Sequence, residues 1–163
     1  MRTRKVLFYI ALGVLIPAAF GLIFPTQAHA SLRKKAVGSY LLRQSDGFQQ
    51  ILTLTTRGTA LSQNSGQVEG PDTFGDQQGA WKHTGKREIT IKTLDFTYEP
   101  NTGAFSGYGR STFTGTFSKD FDEITGEVFV EIFSSDQDPL DPNEVPINTF
   151  GPVTFEGKRI TAD

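Results

Sequence analysis

The sequence predicts an all-β protein, an eight-stranded antiparallel up-and-down barrel that follows an N-terminal export signal. Three observations lead there. Segments alternating apolar and polar residues follow one another from Ala36 onward. Clusters of Gly, Asp, Asn and Pro separate them at short intervals. No stretch in this region carries an apolar stripe of helical period, whereas Phe and Thr, which suit half-buried sheets, are frequent.

The elements follow in order. The first strand is expected at 36–44 and the second at 48–56, joined at Ser45-Asp46-Gly47. The third covers 59–64, after Arg57-Gly58. A long polar stretch, Ser65 to Gln78, leads to a fourth strand at 79–84. Thr84-Gly85-Lys86 turns into the fifth at 87–98, and Asn101-Thr102-Gly103 into the sixth at 104–117. Lys119-Asp120 precedes the seventh at 123–134. A second long loop, Ser135 to Asn148, holds three prolines and precedes the eighth strand at 149–160.

Alternation assigns faces within the strands. Phe105, Phe113 and Phe117 share one face of the sixth, with Gly107, Gly109 and Gly115 between them, as bends in a barrel wall require. Ile124, Val128, Val130 and Ile132 share a face of the seventh. In the fifth, apolar parity switches from Ile89 and Ile91 to Leu94, Phe96 and Tyr98, which reads as a bulge near Thr93. Closure into a barrel removes the edges that an open meander exposes; a two-sheet sandwich is the alternative.

Residues 1–30 have the three parts of a signal peptide. Arg2, Arg4 and Lys5 are basic, Val6 to Phe24 is an uncharged apolar run, and Ala28-His29-Ala30 offers a small-x-small cleavage site. Cleavage after Ala30 leaves one domain, 31–163, exported to the periplasm or secreted. The rival reading is an uncleaved membrane anchor, since the run approaches the length of a bilayer span; Pro17 and Gly21 weaken it. No Cys follows the run to carry a lipid.

The whole chain has 16 basic and 18 acidic side chains. The first thirty residues hold three of the basic ones and none of the acidic, leaving 13 against 18, a net −5. That balance does not suit nucleic acid or, after cleavage, docking on anionic lipid. Without cysteine, stability rests on one apolar core.

In up-and-down order, alternate loops share an end. The two long loops, 65–78 and 135–148, then rim one mouth, while tight turns and both termini occupy a closed base. A barrel of eight strands has room for packed side chains or one small ligand.

Gly38-Ser39-Tyr40 opens the first strand and Arg159 lies near the end of the last, both at the base. This is similar to the lipocalin (calycin) arrangement, in which a Gly-x-Trp packs under an Arg from the last strand. The resemblance implies that Tyr40 plugs the base and Arg159 lies across its ring. Tyr40 stands where the family has Trp, and neither a Thr-Asp-Tyr motif nor a C-terminal helix follows. Gly79 to Gly85 and Phe155 to Ile160 also resemble segments of uncharacterised exported bacterial barrel proteins, which implies a fold and no activity.

Chemistry-bearing groups are sparse. One histidine beyond the signal, His83, and no cysteine cannot build a transition-metal site; His83 reads as a surface residue. Asp136, Asp138, Asp141 and Glu144 are oxygen donors, but an EF-hand register from Asp136 fails at Leu140, Asp141 and Ile147, so no metal or cofactor is expected. There is no Gly-x-Ser-x-Gly nucleophile motif.

Asp95, Tyr108 and Arg110 interrupt apolar strands; pointing inward, they would bind a polar ligand head or move a proton, whereas the alternative, which the alternation favours, is that they face water. With Trp81, Phe96 and Phe113 they are the candidate ligand-binding residues. Lys86 to Glu88, Glu127 and Glu131 break the outward apolar band that an outer-membrane barrel needs.

The reading preferred on these grounds is an exported, calycin-like barrel that binds a small apolar molecule. One alternative is a cofactor-independent isomerase or cyclase of the allene oxide cyclase type, which needs Asp95, Tyr108 or Arg110 to converge. The other is a solid structural barrel, with Phe129 and Phe133 on an outer face marking a homo-oligomer interface.

Overall fold

A computed structural model describes residues 33–68 and 73–162. The signal pattern at 1–30 lies outside the described residues. After one helical turn at 33–36, the alternation drawn from the sequence builds β1 (Gly38–Gln44), β2 (Gln49–Leu54), β3 (Thr59–Asn64), β4 (Thr73–Phe74), β5 (Gln77–His83), β6 (Glu88–Tyr98), β7 (Phe105–Phe117), β8 (Glu123–Ser134) and β9 (Asn148–Arg159). Every neighbouring pair is antiparallel. The order β1-β2-β3-β5-β6-β7-β8-β9 closes on itself, because β9 pairs back to β1. The result is a closed eight-stranded barrel. β4 arises within the stretch expected as loop, and pairs with the far end of β6 beside β5.

The interior divides along its axis. Toward the base it is solid: Leu42, Leu52, Leu54, Ile89, Ile91, Phe117 and Ile124 are fully enclosed. The base itself is built around Tyr40, whose ring packs 5.5 Å from Phe117 and carries the Arg159 guanidinium 4.8 Å from its centroid. Arg159 donates to the carbonyls of Val37 at 2.7 Å, Lys35 at 2.6 Å and Phe121 at 2.9 Å, and to the Tyr40 hydroxyl at 2.5 Å. Tyr40 in turn donates to the Ala36 carbonyl at 3.0 Å. One charged side chain thus ties together backbone acceptors from two chain segments, 35–37 and Phe121. Gly38 makes this fit: a Cβ there would collide with the guanidinium, and its φ of +149° is one that side chains avoid.

Two expectations are corrected. The parity of β6 does not switch, and no bulge lies at Thr93: Ile89, Ile91, Thr93, Asp95 and Thr97 all face inward and Leu94, Phe96 and Tyr98 outward. The change is in the medium rather than the backbone. Toward the mouth β6 belongs to a polar wall of the interior, so its apolar residues stand on the outer face. The irregularity lies instead at Thr97/Tyr98, opposite Phe105–Gly107, and turns Phe105 out of the face it was expected to share with Phe113 and Phe117.

Candidate functional site

The mouth half of the barrel is hollow. A cavity of about 290 Å³ opens there, with Phe113 in its floor. Its two walls differ in chemistry. On β8 and β9, Val128, Val130, Ile132, Phe150 and Val153 make one side apolar, and Phe48 and Phe74 add rings from the rim. On β2, β5, β6 and β7, the same inward positions hold Gln50, Gln77, Asp95, Thr97 and Ser111.

The polar wall is one connected network. Gln44 donates to the Gln50 carbonyl oxygen at 2.9 Å. The Gln50 amide donates to Ser62 and, at 3.0 Å, to Gln77 Oε1. The Gln77 amide donates to Asp95 Oδ2 at 3.0 Å and to Ser111 Oγ at 3.1 Å. Each of these two amides has therefore spent both of its N–H donors. Gly109 leaves room for the Asp95 carboxyl, which a Cβ would strike, and its backbone N–H donates to that carboxyl. Burial pushes the Asp95 carboxyl up to about 7, against the lowering effect of Gln77 and Gly109. Besides Asp46 at the rim, Asp95 is the titratable group among the lining residues.

The candidate residues separate. Asp95 and Phe113 line the cavity. Trp81 lies below it in the core, its indole N–H donating to the Thr55 carbonyl at 3.0 Å. Phe96 and Tyr108 face outward and, with Phe105, form an external aromatic cluster with centroids 5.3–5.9 Å apart. Arg110 also faces outward. Its guanidinium forks onto Glu131 at 2.7 and 2.8 Å and stacks 4.5 Å from the Phe133 ring centre. An interior Asp–Arg pair with a tyrosine, as the isomerase reading requires, is therefore not assembled. The glutamines were missed in the sequence, although Gln50 shares parity with Leu52 and Leu54 and so points inward.

The rim also differs from expectation. The 65–76 segment contributes Gly66 and Phe74, and the short 45–48 turn contributes Asp46 and Phe48, but no residue of 135–147 lines the cavity. That loop turns back over the outside of β7 and β8, where the Pro139 carbonyl accepts from Arg110 at 2.6 Å. It covers Phe133, which is fully buried, whereas Phe129 stays 36% exposed. Its acidic residues cap its own turns: Asp138 accepts from the Leu140 N–H and Asp141 from the Asn143 N–H, each at 2.8 Å. Among the described residues no three His, Cys, Asp or Glu gather as a metal site. His83 is half-buried rather than exposed, its ring centroid 5.3 Å from that of Trp81 in an edge-on arrangement.

Charge is segregated by end. The mouth segments 45–48, 65–68, 73–76, 99–104 and 135–147 contain no Lys or Arg, and carry Asp46, Asp76, Glu99 and four acidic residues between 135 and 147. The base carries Arg33, Lys34, Lys35, Arg57, Lys86, Arg87 and Lys119 against Asp120 and Asp122. Among the described residues no helix is long and apolar enough to cross a membrane.

The fold and the cavity define a closed antiparallel β-barrel, hollow at one end. Comparison with protein-family models, curated proteins and solved structures found no match.

Proposed function

We propose that this is an exported, calycin-like barrel that holds one small, largely apolar molecule in the mouth-end cavity. The observation that carries the reading is the contrast between the two halves of the interior. The same eight strands that fill the base with side chains leave about 290 Å³ open above Phe113, with an unbroken apolar wall on β8 and β9. Sites for small molecules combine such apolar lining with a few placed polar groups. Gln50, Gln77, Asp95 and Ser111 are those groups here. Export is supported by the basic, apolar and small-x-small succession of residues 1–30, and the calycin likeness by Arg159 stacked on Tyr40.

The test is titration with 1-aminoanthracene, a neutral apolar dye that brightens when enclosed. Saturable binding of one dye per chain is expected, and its loss in Val130→Trp, whose indole fills the cavity from the apolar wall. Thermal unfolding of the variant checks that the barrel is intact. Absence of saturable binding to the wild type, or equal binding by a folded Val130→Trp, overturns the reading.

A further inference from the structure

We infer that the cavity selects an apolar molecule bearing one positively charged nitrogen, an organic amine, with Asp95 as its counter-ion; this rests on the cavity being a ligand site. Gln50 has spent its amide donors on Ser62 and Gln77, and Gln77 has spent its own on Asp95 and Ser111. The Asp95 carboxyl receives Gln77 and the Gly109 N–H, which leaves about two of its four lone-pair sites unfilled. The wall's largest remaining capacity is to accept hydrogen bonds, and an ammonium is a pure donor.

Charge points the same way. No lysine, arginine or histidine lines the cavity. The cations near this end, Arg43 and Arg110, stand on outward positions, and Arg110 is committed to Glu131. A carboxylate ligand, such as a fatty acid, would meet Asp95 with no cation to offset it, a costly arrangement away from water. The acidic mouth segments add a long-range component: they attract cations toward the opening and repel anions. The rings of Phe48, Phe74, Phe113 and Phe150 around the cavity supply faces that tolerate an organic cation.

The inference is tested with three probes of one shape and three heads: 4-phenylbutylamine, 4-phenylbutanol and 4-phenylbutyrate, titrated calorimetrically into the full mature chain. Near pH 8 the amine is expected to bind at least about tenfold more tightly than the alcohol, and the carboxylate more weakly than either. Asp95→Asn is expected to bring amine affinity down to that of the alcohol or below, with thermal unfolding showing that the variant is folded. Amine affinity in the wild type should rise with pH as Asp95 ionises; Asp46 at the rim and Asp95 are the titratable groups that face the ligand. An amine that binds no better than the alcohol, or a preference that survives Asp95→Asn, overturns the inference and leaves the apolar-ligand reading standing. Failure of all three probes to bind counts against both.

Discussion

The base and the mouth of this barrel are made by the same strands and obey opposite rules. At the base, inward positions are apolar and packed, and the half-buried Arg159 guanidinium is held by backbone carbonyls and the Tyr40 ring. At the mouth, inward positions on β5, β6 and β7 are polar, the space between the walls is open, and large apolar side chains lie outside. β6 shows the change within eleven residues: Ile89 and Ile91 face in below, Thr93, Asp95 and Thr97 face in above. Concentrating packing at one end lets the other stay hollow without unfolding, because the same paired strands run through both.

The largest effect expected from disturbing this contrast is at the base. Tyr40→Ala removes a fully buried ring and the acceptor for Arg159, and should lower unfolding stability by about 3–5 kcal/mol, read as a fall in the urea midpoint at unchanged slope. A cost below about 1 kcal/mol would mean that the base does not anchor the fold.

A smaller but distinctive effect belongs to Asp95. Its carboxyl is raised to about 7 in the folded barrel and titrates near 3.8 when exposed. Between those values the native state holds a proton that the unfolded chain has lost, so stability should fall as pH rises through that window and level off above it. The drop should be on the order of 4 kcal/mol. Asp95→Asn should remove this slope and be the more stable form above pH 7. A wild type whose stability rises from pH 4 to 7, with a slope unchanged by the substitution, would refute the assignment.

The smallest effect is expected on the outer wall. Phe105 is 45% exposed and packs against Phe96 and Tyr108 in the external cluster. Phe105→Ser should cost no more than about 1 kcal/mol and leave dye binding unchanged. A loss of binding would show that the outer cluster supports the cavity wall.

The strands were legible because their signals are local. Turn residues such as Ser45-Asp46-Gly47 and Asn101-Thr102-Gly103 fall between alternating runs, and the observed boundaries lie within a few residues of those expected. The site was legible only in part. Asp95 and Phe113 were found because an acid in an apolar strand and a ring flanked by glycines stand out. Tyr108 and Arg110 were misplaced because the rule that apolar residues face inward reverses where the interior is hollow. Gln50 and Gln77 were overlooked because an isolated glutamine at an inward position matters only when partners meet it across the barrel.

By itself the sequence determined the alternation of each strand, the turns between strands and therefore an up-and-down order, since period-two patterning and turn chemistry act between near neighbours. The tertiary structure alone decided which residues meet. Closure of β9 onto β1 brings Arg159 to Tyr40, the β7–β8 register sets Arg110 opposite Glu131, and the circuit of β2, β5, β6 and β7 joins Gln50 to Asp95. These contacts link positions far apart in the chain, and their geometry exists only once the barrel has closed around the space between them.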